Sequence, residues 1–118
     1  MRSIITYCCL LASLAGVAAA QDGTRAGDFV VEHPTLLNLG FEWMIHGDAN
    51  RNASVAVRFR AVGNAGWRPA LPLVRIGGER VYRVRENLDY TVPEGFAGSI
   101  LNLQPGPEYE CEFTLTDP

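Results

Sequence analysis

Apolar side chains occupy every second position in three stretches of this chain. The alternation runs through residues 39–45, 55–60 and 109–116. Successive side chains of an extended chain point to opposite faces, so this period predicts β-strands with one apolar and one polar face. After the first 20 residues no long stretch repeats at the spacing of a helix, and we therefore expect almost no helix.

Residues that favour turns separate the predicted strands. Clusters of Gly, Pro, Asn and Asp lie at 47–52, 63–66, 77–78, 93–95 and 105–107. The chain has 118 residues, 47% of them hydrophobic, which is enough for one packed core and too little for two. Short strands joined by such turns predict an all-β fold, an antiparallel sandwich or barrel.

The first 20 residues have the pattern of a secretory signal peptide. Arg2 precedes an apolar run over residues 4–17, and three alanines at 18–20 precede Gln21. The run is shorter than the about 20 residues that span a bilayer. We predict a cleaved signal peptide over residues 1–20, a secreted or periplasmic location, and no membrane contact after cleavage. An uncleaved anchor and a lipoprotein are the alternatives.

The mature chain is predicted to begin with a flexible leader over residues 21–31, followed by a sandwich over 32–118. Cleavage removes two of the three cysteines and leaves Cys111 without an intrachain disulfide partner. Ten basic residues against thirteen acidic ones give a net charge of −3, so we expect no nucleic-acid partner.

A Pro-Gly turn followed by a tyrosine is the most specific motif. Leu103, Pro105 and Gly106 precede Tyr109, which opens the last alternating stretch. In β-sandwiches a tyrosine at such a corner bonds its hydroxyl back to the backbone a few residues upstream. We predict this structural role for Tyr109 and a core position for Trp43.

These features resemble a fibronectin type III-like domain, with Trp43 at the position of the core tryptophan of that family. A narrower resemblance is to the fibronectin-type modules at the N-terminus of secreted bacterial proteins that continue into a right-handed parallel β-helix. It involves Phe41-Glu-Trp43, the 47–52 turn, residues 71–76, residues 96–100 and Tyr109-Glu-Cys111. The resemblance implies an immunoglobulin-like antiparallel sandwich that is accessory to a larger extracellular protein, often one directed at carbohydrate.

The family fold has seven strands, and the last one is expected after Thr116. The sequence ends at Pro118, so we expect a sandwich that lacks its last strand. Strand 109–116 would then be a bare edge with unpaired backbone groups. The alternative is an edge covered in another way.

Two candidate ligand sites emerge, and no catalytic set or cofactor does. Asp48, Asn50 and Asn52 carry oxygens at alternate positions, as in a calcium loop, but the loop lacks the glycine and the carboxylate of such a site, and a hydrogen-bonded turn is the favoured interpretation. Trp67 follows a Gly-rich turn and is either a platform for a sugar ring or a tryptophan packed over the core edge.

The predicted function is a non-catalytic interaction or spacer module. Its expected partner is a neighbouring domain of a longer protein or an extracellular polysaccharide or protein. The alternatives are a carbohydrate-binding module that uses Trp67 and the N-terminal accessory domain of a secreted metallophosphoesterase. The arginines are expected to pair across strands with Glu110 and Glu112 or to form an anion-binding stripe; they are Arg58, Arg60, Arg75, Arg83 and Arg85.

Overall fold

The computed structural model describes residues 21–118, and the predicted signal peptide lies outside them. The strands of this part are β1 (Arg25–Val31), β2 (Leu39–His46), β3 (Ser54–Ala61), β4 (Arg68–Pro69), β5 (Val74–Ile76), β6 (Arg80–Arg83), β7 (Leu88–Thr91), β8 (Gly95–Ile100) and β9 (Tyr109–Thr116). The one helical element among these residues is a single 3₁₀ turn, Val84–Glu86. Every strand pair is antiparallel, which confirms the predicted all-β class. Residues 21–118 include no helix with the length and hydrophobicity of a transmembrane span.

Two sheets enclose the core. One has the strand order β1-β2-β8-β5, the other has the order β4-β3-β9, and β6 and β7 form a separate two-stranded ribbon. The buried apolar side chains come from both larger sheets and from the connections between them. They are Phe41, Ile45, Val55, Val57, Phe59, Leu73, Phe96, Ile100 and Leu103.

The alternation of β3 determines which of its side chains enter the core. Val55, Val57 and Phe59 are at most 6% exposed, whereas Arg58 between them is exposed. In β2, Phe41 and Ile45 are buried in the same way. The period of two therefore predicted both the strands and their inner faces.

The prediction of a flexible leader over residues 21–31 is wrong for β1. Residues Arg25–Val31 pair with β2, and the Phe29 ring lies 5.7 Å from that of Trp43. The pairing shifts by one residue between Ala26 and Phe29, a bulge in which a side chain on Gly27 would collide with the backbone of Met44. The bulge interrupts the alternation of apolar and polar residues, so the sequence pattern did not predict this strand.

The polar residues before β1 are also held by the fold. The Ala49 N–H donates to the carbonyl of Gln21 at 3.1 Å, and the Thr24 N–H donates to the Asp117 carboxylate at 2.7 Å. These bonds join the start of the described chain to the β2–β3 turn and to the residues after β9.

Candidate functional site

The loop between β2 and β3 is organised around the Asp48 carboxylate. Asp48 is 1% exposed and has a φ of 57°, a left-handed conformation that Asp and Asn adopt more readily than other side chains. Its Oδ1 accepts the backbone N–H groups of Asn52 and Ala53, at 3.0 and 3.2 Å. Its Oδ2 accepts from the Arg75 guanidinium of β5. Both carboxylate oxygens are therefore occupied by donors from the chain itself.

The same guanidinium continues the network outward. Arg75 is 15% exposed and donates from Nη2 to Glu94 at 2.9 Å, and Arg51 approaches Glu94 at 3.4 Å. Burial raises the pKa of Asp48, but the hydrogen bonds from Arg75 and the two backbone N–H groups outweigh it and keep the pKa below its usual value. Asp48 is thus a buried anion that ties the loop to β5.

The calcium interpretation of this loop does not fit the geometry. The cation that faces Asp48 is a guanidinium, and Asn50 and Asn52 are exposed, with the Asn52 amide 3.5 Å from the Pro118 carbonyl. Residues 21–118 contain no group of three or more His, Cys, Asp or Glu that could hold a metal ion. The hydrogen-bonded turn that the sequence also allowed describes the loop.

Trp67 lies under two guanidinium groups on the outer face of the β4-β3-β9 sheet. The Arg58 and Arg60 guanidiniums lie 4.8 and 4.4 Å from its ring centroid. Arg58 also binds Glu112 through two bonds of 2.7 and 2.8 Å, and Arg60 binds Glu110. The half-buried ring is stacked within the protein, which differs from the exposed sugar platform considered for it.

Three of the five arginines expected on this outer face lie elsewhere. Arg75 belongs to the Asp48 network, and Arg83 approaches Glu86 at 3.7 Å in the β6–β7 ribbon, where Arg85 also lies. The cross-strand pairs with Glu110 and Glu112 are therefore those of Arg58 and Arg60 alone. Two carboxylates compensate the two arginines, so this face is not a positive stripe.

The Tyr109 hydroxyl bonds back to the corner that precedes β9. It accepts the backbone N–H of Gln104 at 3.0 Å and lies 3.4 Å from the carbonyl of the same residue. Its ring packs against the core 6.2 Å from that of Phe59. Trp43 packs against the same core from β2 but stays partly exposed, on the side where β1 is the edge strand.

We expect Tyr109→Phe to lower the free energy of unfolding by about 1 kcal/mol, because the lost bond is partly accessible to water. Urea denaturation followed by tryptophan fluorescence measures the loss. Tyr82→Phe is the matched control, since the Tyr82 side chain is 61% exposed in the ribbon. An equal midpoint for both variants would contradict the corner contact.

One side of the sandwich is open. Three core-facing residues of β3 are buried, but the residues opposite them on β9 are only half-buried; these are Cys111, Phe113 and Leu115. Tyr109 is half-buried as well, opposite the half-buried Ala61. Facing them from β1, Phe29 and Val31 are 40% and 60% exposed. The rings of Phe29 and Phe113 lie 4.9 Å apart across the gap.

A groove of about 640 Å³ continues this open side towards the tyrosine corner. Its walls are the loop from Pro34 to Asn38 and the corner from Leu103 to Tyr109. Leu36 and Leu37 are 77% and 42% exposed there. Cys111 lines the groove, and burial raises the pKa of its thiol, so it is not an activated nucleophile.

A second cavity, of about 290 Å³, lies where the β3–β4 turn meets the tyrosine corner. Arg68, Asn64 and Gln104 line it, together with the rings of Phe59 and Tyr109. No sequence pattern singles out these three polar residues, because residues 64–68 and 104 are brought together only by the fold.

No family model, curated protein or solved structure matches this chain. Its function is therefore inferred from the geometry of the fold and of these surfaces.

Proposed function

We propose that this chain is an exported, non-catalytic accessory module of a larger extracellular protein, built as a fibronectin type III-like domain. In this proposal the neighbouring domain supplies an extended segment that pairs with β9 and closes the open side. The observation that carries it is the contrast between β9 and β3. At three paired positions the inner side chain is buried on β3 and only half-buried on β9.

The strand order supports the immunoglobulin-like class. Seven-stranded domains of that class have the orders A-B-E-D and C-F-G in their two sheets. The order β1-β2-β8-β5 corresponds to the first, and β3-β9 corresponds to C-F. In that arrangement β9 is a central strand, so a strand is expected on the side where the described residues place none. The ribbon β6–β7 is then an insertion before the E strand.

Export follows from the predicted signal peptide over residues 1–20 and places the module outside the cell or in the periplasm. Among the described residues Cys111 is a free thiol, so the fold of this part of the chain is held by its packed core and not by a disulfide. The N-terminal sequence of the purified secreted chain tests the cleavage after Ala20.

We expect a strand added after Pro118 to stabilise the protein. The variant carries an Asn-Gly turn followed by an eight-residue segment of alternating valine and threonine, the length of β9. Its valines would cover Phe113 and Leu115, and pairing contributes roughly 0.2–1 kcal/mol per cross-strand pair. Thermal denaturation should show a midpoint about 5 °C higher or more, and hydrogen exchange should show slower exchange of β9 amides.

The matched control carries the same added segment with two central valines replaced by proline, which cannot donate to a sheet. It should leave both measurements at the values of the parent chain. Slow exchange of all β9 amides in the parent, with no gain from the added strand, would show that the edge is already closed and would overturn the proposal.

The Trp67-based carbohydrate module is the weaker alternative, because the Trp67 ring already stacks with Arg58 and Arg60. No contact within residues 21–118 favours the accessory domain of a metallophosphoesterase over that of another extracellular protein. We retain carbohydrate as a candidate ligand, because the cavity lined by Asn64, Arg68 and Gln104 supports it better than Trp67 does.

A further inference from the structure

We propose that the cavity between the β3–β4 turn and the tyrosine corner binds a carboxylate-bearing sugar, such as a uronate unit of an acidic polysaccharide. This inference deepens the proposed extracellular function and rests on it for the presence of such a ligand. It does not depend on what covers β9.

The charge of the cavity favours an anion. Its lining contains Arg60 and Arg68 but no Asp or Glu. The Arg60 guanidinium is engaged by Glu110 and Trp67. The Arg68 guanidinium has no carboxylate within 4 Å among the described residues, whereas six other arginines of this part of the chain do. These six are Arg51, Arg58, Arg60, Arg75, Arg80 and Arg83.

The position of Arg68 is fixed by the sheet. Arg68 is paired with Phe59 in the β3–β4 ladder, and its guanidinium carbon lies 5.2 Å from the centroid of that ring. Stacking on an aromatic ring holds a guanidinium in place while leaving its N–H edge available. A planar carboxylate accepts two parallel bonds from such an edge.

The remaining walls suit the ring of a sugar. Asn64 and Gln104 are exposed, and their side chains make no hydrogen bond within the described residues. Each amide offers both a donor and an acceptor, which is what sugar hydroxyls require. Tyr109 adds the half-buried surface of its aromatic ring. The volume of about 290 Å³ lies at the lower end of the range for ligand pockets, about 300–1,000 Å³, and fits one sugar unit.

The test is an NMR titration of the isotope-labelled chain with oligogalacturonate, beside the same oligosaccharide after reduction of its carboxyl groups. We expect shifts of the backbone amides at Asn64, Gly66 and Arg68 with the acidic oligosaccharide, and at least tenfold weaker binding of the reduced one. Equal binding of both would overturn the carboxylate contact. Binding of neither would overturn the site.

Arg68→Gln should weaken binding of oligogalacturonate by about tenfold or more, since a bond to a charged group is lost. Arg68→Lys keeps the charge but not the paired bonds and should bind with intermediate affinity. Arg85→Gln is the control, because Arg85 also has no carboxylate within 4 Å among the described residues and lies in the β6–β7 ribbon. An equal loss for Arg85→Gln would show general charge attraction and overturn the assignment of the site.

Asn64→Ala gives an independent check, because its side chain makes no bond within residues 21–118 whose loss would unfold the chain. This variant should weaken binding of the acidic oligosaccharide several-fold without changing the midpoint of unfolding. The competitor is a peptide with a free C-terminal carboxylate. If it displaces the oligosaccharide from Arg68 at equal concentration, the cavity binds peptide termini and the proposal of a sugar ligand is overturned. Failure of any of these tests leaves the result with the added strand unaffected, so the two proposals fail separately.

Discussion

We expect Asp48→Asn to lower the free energy of unfolding by about 3 kcal/mol, the scale that applies when one partner of a buried ion pair is removed. The amide can still accept the backbone N–H groups of Asn52 and Ala53, and Asn tolerates the positive φ of this position. What is lost is the charge that faces Arg75, whose side chain is only 15% exposed. Urea denaturation at neutral pH measures the loss, with far-ultraviolet circular dichroism as the check on folding.

The pH dependence separates this charge effect from the geometry of the loop. The folded-state pKa of Asp48 lies below its unfolded value, so its contribution is complete above about pH 4 and is lost as pH falls through the folded-state pKa. Asp48→Asn should therefore flatten the acid limb of the stability curve. The control Asp89→Asn removes the pair with Arg80, which also lowers the pKa of Asp89 but is exposed to water. It should therefore change the midpoint and the acid limb much less than Asp48→Asn does. Equal behaviour of both variants would contradict the buried network.

Phe96→Ala should lower the free energy of unfolding by about 4 kcal/mol, which is the second large effect that we expect. Phe96 is 2% exposed near the start of β8, and its neighbours across the strands are Trp43 on β2 and Arg75 on β5. Truncation leaves a cavity between the two sheets and removes the ring on which the Arg75 guanidinium lies, 5.4 Å away. Urea denaturation by fluorescence and by circular dichroism should give coincident, shifted transitions.

Phe29→Ala is the matched control, because it is the same substitution in the same sheet. Phe29 is 40% exposed on the open side, so its truncation should cost only about 1.5 kcal/mol. Similar losses for the two variants would mean that the open side is as well packed as the centre. That result would also weaken the case for a missing partner strand.

The sequence was most informative where the pattern is local. Alternation in β2, β3 and β9 predicted these strands and the inward direction of Phe41, Val57 and Phe113. The Pro-Gly turn before Tyr109 predicted where the hydroxyl should bond. These inferences need only the period of two and the geometry of a turn, which residues within about ten positions determine.

The sequence was least informative where the fold joins distant residues. Asp48 and Arg75 are separated by 27 positions, and nothing in either segment distinguishes a buried ion pair from a solvated turn. The cavity that contains Arg68 requires the β3–β4 turn to meet the tyrosine corner. β1 escaped detection for a different reason, because the bulge at Gly27 and Asp28 breaks the alternation that identified the other strands.

The hydrogen bond between the Thr24 N–H and the Asp117 carboxylate bears on the path that the polypeptide would take in the proposed larger protein. This bond brings the residues just before β1 and the residues just after β9 to the same end of the sandwich. A segment that runs antiparallel to β9 travels to the opposite pole, beside Gly106, before it departs. In the proposed larger protein, pairing at this edge would therefore determine the direction in which the polypeptide leaves the sandwich as well as its stability. A segment that pairs with β9 would leave at the end opposite Thr24, and an unpaired segment would leave at the same end as Thr24.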